Sequence, residues 1–135
     1  MKKLAVLFVG LLFFIGCTKN YHDSAKIDPD DLIIGTWVDS QFNDSVYTIT
    51  RSNEFVDDKD GFQFNKDGTF VQRANSGWCG TPPISYTNYP GNWTQFPDDT
   101  YFIETEFWGG ITSFGFEVIS INENQMIYRI KYDKS

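Results

Sequence analysis

Phe64-Asn65-Lys66-Asp67-Gly68-Thr69-Phe70 is the stretch on which the fold turns. Asp67-Gly68 falls where a tight hairpin needs positive φ, and aromatic residues alternate on both sides. Two antiparallel strands are therefore expected here. Working outward, short apolar and aromatic runs alternate with turn residues at the roughly 8 to 12 residue spacing of a sandwich or barrel. The expected strands are Leu32–Ser40, Val46–Arg51, Gly61–Asn65, Thr69–Ala74, Gly91–Phe96, Thr100–Trp108, Ser113–Ile121 and Gln125–Tyr132. Asn122-Glu123-Asn124 closes another hairpin, and Pro97-Asp98-Asp99 and Trp108-Gly109-Gly110 bracket the long strand between them.

Composition agrees. Aromatic residues make up 18% of the chain, and alanine and leucine become scarce after the first residues, which favours strands over helices. No helix of useful length and no internal repeat stands out. Eight antiparallel strands joined in order close most simply into an up-and-down barrel, which removes exposed edges, with a twisted sandwich as the rival. One link is long. It runs from Asn75 to Pro90 and holds Trp78, Cys79, Pro82, Pro83, Tyr86 and Tyr89, and loops of that length in a compact domain are usually functional.

The N-terminus is a separate unit. Met1-Lys2-Lys3 is a positive start, Leu4 to Ile15 is apolar, and a small residue stands directly before Cys17. The apolar run falls short of the roughly twenty residues that a membrane-spanning helix needs, and it has the architecture of an export signal. Gly16-Cys17 resembles the lipobox of bacterial lipoproteins, which implies cleavage of residues 1–16 and lipid on Cys17. Two or three acyl chains make such anchoring stable. Thr18 follows the cysteine where an inner-membrane retention signal would carry Asp, so the outer membrane is expected. The periplasmic face is favoured over the cell surface, because no acidic run directly follows Cys17. Residues 17–31 are polar, contain His22 and Pro29, and read as a tether. Residues 32–135 then form one domain, a size that leaves no room for a second.

The formal net charge is −7, and it becomes more negative once the two signal lysines leave. Nucleic acid is disfavoured as a partner, since phosphate contacts need clustered Lys or Arg. The acidic residues are spread over turns and strand edges, as on a solvated surface. With Cys17 lipidated, Cys79 is unpaired and reads as a buried or half-buried small apolar side chain. An unlipidated Cys17 would leave a bridge to Cys79 open.

A search for catalytic and metal chemistry finds little. Asp57-Asp58-Lys59-Asp60-Gly61 looks like a calcium loop, but it places Val56 at the first ligand position of an EF-hand, so a turn with solvated carboxylates is the better reading. Glu104 and Glu106 share a strand face that Glu117 could approach. However, Tyr101, Ile103, Thr105 and Phe107 make the better core face, so outward glutamates are expected. No nucleophile elbow, phosphate-binding loop or His/Cys cluster is present, and no enzyme activity, cofactor or metal is expected.

Gly35-Thr36-Trp37 opens the first strand of the barrel, and this phrase resembles the first signature of the lipocalin superfamily. The Phe64–Phe70 hairpin and Gly91-Asn92-Trp93 look like recurring phrases of short bacterial lipocalin-like lipoproteins. The resemblance spans about Leu32 to Tyr132. It implies that Trp37 plugs the closed end of the barrel beneath an arginine of the last strand, for which Arg129 is the matching residue; strand alternation equally allows Arg129 and Lys131 to face water. It also implies a cavity for a small apolar or amphipathic molecule. Small barrels either fill their interior or hold one ligand, and the sequence does not choose. Trp78, Tyr86, Tyr89 and Trp108 could ring a mouth for lipids or glycans, and Trp37, Trp93 and Arg129 are further candidate ligand-binding residues. The rival expectation is a solid barrel that docks another envelope protein through the loop from Trp78 to Tyr89.

Overall fold

The computed structural model describes residue 28 and residues 30–131. The expected export signal, Cys17, most of the expected tether and the Tyr132 end lie outside the described residues. Eight strands follow: β1 (Gly35–Asn43), β2 (Val46–Ser52), β3 (Gly61–Phe64), β4 (Thr69–Asn75), β5 (Tyr86–Gln95), β6 (Thr100–Phe107), β7 (Gly110–Ile121) and β8 (Gln125–Lys131). They close into an all-antiparallel barrel with up-and-down neighbours, as the turn spacing leads one to expect.

One exchange modifies the strand order. β1 lies between β2 and β3, and β2 completes the barrel by pairing with β8. The connection 53–60 must therefore pass β1. Trp37 faces the core, so alternation turns Thr36 and Val38 outward, yet both are buried. Phe55 packs over Gly61, where an added Cβ would come within 3.0 Å of its ring. The crossover thus runs over the outer face of β1. It is pinned there by Asp39 N–H donating to the Asp60 carbonyl (3.1 Å) and Ser40 N–H to Asp60 Oδ1 (3.0 Å). Arg73 donates to the Asp57 carbonyl (2.8 Å) and the Val56 carbonyl (3.3 Å). The Asp57–Gly61 run is thus part of this crossover. Desolvation pushes the Asp60 carboxyl above the usual carboxylate range.

The Asp67-Gly68 hairpin forms as its residues dictate. Gly68 takes φ 86°, its N–H donates to the Asn65 carbonyl, and Thr69 N–H donates to Asp67 Oδ1 at 2.9 Å. The Asn65 carbonyl also accepts from Trp93 Nε1 (2.9 Å), which ties the Gly-X-Trp segment of β5 to this turn. β5 itself is longer than expected, beginning at Tyr86 instead of Gly91. Residues 86–90 pair with β4 alone, and pairing with β6 starts only at Gly91↔Thr105. Pro90 marks that boundary: lacking an N–H it suits an edge, and for the same reason it conceals a strand in the sequence.

Aromatic side chains fill the lower half of the barrel. Phe64, Phe70, Trp93, Tyr101, Phe116 and Tyr128 are all buried, with Phe116 stacked on Tyr128 at 4.2 Å and Phe64 edge-on to Trp93 at 5.5 Å. The turn leading into β1 closes that end. Ile33 is fully buried, and its carbonyl accepts from Trp37 Nε1 (2.8 Å). Asp31, at the end of the expected tether, accepts from the Tyr101 hydroxyl (2.7 Å) and Gln95 Nε2 (2.8 Å) on one carboxylate oxygen. It is thus part of the closed end. On the outer surface, Glu104, Glu106, Arg129 and Lys131 are exposed. An aromatic interior beneath a charged exterior is the reverse of a barrel that faces lipid.

Candidate functional site

At the opposite end the barrel opens. The inward side chains shrink toward it: Phe70, Gln72, Ala74 along β4, and Phe116, Phe114, Thr112 along β7. Because the strands keep their spacing while their side chains become smaller, a cup remains where the closed end is solid. Its volume is about 320 Å³, within the size range of small-molecule sites. Phe62, Phe114 and Ile130 form its apolar inner wall, while Phe107, Trp108 and Asn75 reach it from the mouth. Phe107 and Trp108 meet edge to face at 5.8 Å. Among the described residues no charged side chain lines the cup.

One polar group in the wall is conspicuous. Gln72 faces the cup between Phe62 on β3 and Tyr89 on β5, and its Oε1 is buried without a hydrogen-bond partner. An acceptor left in that condition costs about 1–3 kcal/mol. Two of the neighbouring polar groups have other partners. The Tyr89 hydroxyl donates to the Asn75 carbonyl (3.1 Å), and Asn75 Nδ2 donates to the Cys79 carbonyl (2.6 Å).

The aromatic residues expected to bind a ligand divide into four groups. Trp108 alone lines the cup, with about half of its surface exposed. Trp37 and Trp93 are buried in the filled half. Tyr86 and Tyr89 lie on β5, not in a loop; Tyr86 sits 5.9 Å from the Arg73 guanidinium and Tyr89 bonds Asn75. Trp78 is 81% exposed in the connection 76–85 and does not line the cup. Cys79, expected to be buried, is exposed in the same connection, because that segment stands away from the barrel core. Hydrogen bonds from the Thr81 N–H and hydroxyl lower its thiol pKa.

Arg129 does not reach Trp37. Its neighbours Tyr128 and Ile130 turn inward, so alternation places Arg129 outside, 3.4 Å from Glu117. The cation over Trp37 is Arg51, at 4.1 Å from the ring centroid, directly across from it on β2. Arg51 also donates to the Ile34 carbonyl (2.9 Å) and to the Leu32 carbonyl, clamping the closing turn. Burial lowers its guanidinium pKa, and the Glu123 carboxylate partly offsets this.

The three glutamates do not assemble. Glu117 lies across from Thr100, and Glu104 across from Ser113, four residues further along β6, which separates them by roughly 13 Å of strand. Glu117 is occupied by Arg129 and Lys131. Among the described residues no cluster of His, Cys, Asp or Glu could hold a metal.

Sequence reasoning missed Phe62, Gln72, Phe107, Phe114 and Ile130 as a group. The available signal was the falling side-chain size along the inward parity of β4 and β7. Exposed aromatics in turns drew attention elsewhere. No protein family, curated protein or solved structure matches the chain.

Proposed function

We propose that this chain is an outer-membrane-anchored, lipocalin-like lipoprotein that holds one small apolar or amphipathic molecule in the cup at its barrel mouth. The observation that carries this reading is the uncharged aromatic cup of about 320 Å³ above a filled lower half. An apolar cavity open at one end of a rigid barrel is an arrangement that binds small molecules, with burial supplying about 25 cal/mol per Å² of ligand surface. The reading assigns the chain no catalytic step, cofactor or nucleic-acid partner. Residues 31–34 lead into β1 at the closed end, so the tether joins the barrel at the end opposite the mouth. A tether from Cys17 to Asp31 spans at most about 50 Å, long enough for the cup to stand clear of a membrane surface and meet a partner that loads it. The periplasmic face remains the favoured side.

A second reading has its own support. Trp78 is 81% exposed and Ile111 69% exposed at the mouth end, as befits a surface that docks another envelope protein. Native mass spectrometry of the protein gently extracted from its own envelope separates the two. A defined small-molecule adduct lost on unfolding, and weakened by Trp108→Ala, supports the carrier. A bare chain co-purifying with a stoichiometric protein supports the docking subunit. Palmitate labelling that disappears in Cys17→Ala tests the anchor.

A further inference from the structure

We propose that the molecule seated in the cup is a neutral ring compound that donates one hydrogen bond, from a hydroxyl or N–H, to the Gln72 side-chain oxygen. This rests on the carrier reading and specifies its ligand. Three observations converge. First, Gln72 Oε1 is a buried acceptor with no partner, in a mainly apolar wall that includes Phe62, Ala74 and Phe114. Second, three hydrogen-bonding side chains around Gln72 are committed elsewhere. The Tyr89 hydroxyl and Asn75 Nδ2 donate to main-chain carbonyls, and Thr105 Oγ1 lies 3.3 Å from the Pro90 carbonyl. A ligand donor would therefore complete a bond that the protein leaves unmade. The terminal torsion of glutamine is soft, so its oxygen can turn to such a donor without moving a strand.

Third, among the described residues no charged side chain lines the cup, which disfavours an ionised group seated inside it. An ionised head would lose its hydration with nothing to balance it, whereas a neutral hydroxyl loses little once paired. Phe62, Phe107, Trp108 and Phe114 offer ring faces and edges, which select a flat apolar body over a flexible chain. A long acyl chain is disfavoured as well, because the filled lower half stops the cavity short.

The test compares 1-naphthol with 1-methoxynaphthalene, which has the same ring system but no donor. Binding to the full-length protein in detergent is followed by tryptophan fluorescence against empty micelles. The expected result is naphthol binding about 3- to 10-fold tighter than the ether, the range that one net hydrogen bond allows. Gln72→Met should bring the two affinities together by weakening naphthol alone. Equal affinities for both compounds in the unmutated protein would overturn the donor recognition while leaving the cup as a site. No binding of either compound would overturn the carrier reading and this inference with it. Should Gln72→Met fail to fold, the ratio measured in the unmutated protein decides.

Discussion

Replacing Arg51 with Met tests the account of the closed end, because it removes one charge and two donors while keeping an apolar stem of similar length. In the structure the guanidinium lies 4.1 Å from the Trp37 ring centroid and donates to the carbonyls of Ile34 and Leu32. Hydrogen bonds from charged groups contribute about 1.5–3 kcal/mol each, but Arg51 is only partly buried, so about 1 kcal/mol apiece is the better figure after solvent screening. The cation over the ring adds about 0.5–1 kcal/mol. The sum is a loss of about 2–3 kcal/mol, or a fall in Tm of about 10–20 °C for a domain near a hundred residues. Urea unfolding followed by tryptophan fluorescence reads this directly. Arg51→Lys should recover the charge but not the fork that spans two carbonyls, and so retain a loss of about 1 kcal/mol. Arg129→Met is the control, since its exposed pairing with Glu117 should be worth under about 0.5 kcal/mol. The reasoning is refuted if Arg51→Met costs less than its control, or if Arg129→Met costs as much as Arg51→Met was expected to.

Two further predictions follow from the packing and the buried hydroxyls. Phe64→Ala, in the filled half, should cost about 3–5 kcal/mol, whereas Thr112→Ala on the cup wall should cost under about 1 kcal/mol; equal losses in denaturant titrations would mean that the two halves are packed alike. Tyr101 and Tyr128 have pKa values raised by burial, Tyr101 further by its bond to Asp31. Because the folded state holds these protons more tightly than the unfolded chain, their contribution is complete below about pH 10 and is lost as pH rises past it. Unfolding free energies measured from pH 8 to 12 should thus fall with a slope of up to about 1.4 kcal/mol per pH unit for each tyrosine, and Tyr128→Phe should make the slope shallower. An unchanged slope in that variant would show that Tyr128 ionises as freely when folded as when unfolded.

The strands and their inward faces were legible because they are local properties. Asp67-Gly68 demands positive φ wherever it sits, and the alternation Tyr101, Ile103, Thr105, Phe107 marks one face without reference to any other strand. The same alternation correctly turned Glu104 and Glu106 outward. Local reading stopped at Pro90, where a residue without an N–H looks like a break; the structure uses it where β5 leaves β6 and pairs with β4 alone. It also stopped at Cys79, since a composition preference says nothing about whether a particular loop folds back over the core.

What the sequence by itself determined is therefore the all-β class, eight strands, the Phe64–Phe70 hairpin and the parity of the faces, each fixed by sterics or alternation within a few residues. Which strands become neighbours was decided only in three dimensions. Short-range pattern does not record that the 53–60 crossover lays β1 between β2 and β3, which takes β8 away from the side of Trp37 and leaves Arg51 of β2 across from it. The cup has the same origin. The ten phenylalanines beyond residue 16 could have filled the whole barrel, but a cavity depends on the sum of side-chain volumes across one layer. Only closure brings Ala74 of β4 and Thr112 of β7 into the same layer and leaves the space that they do not fill.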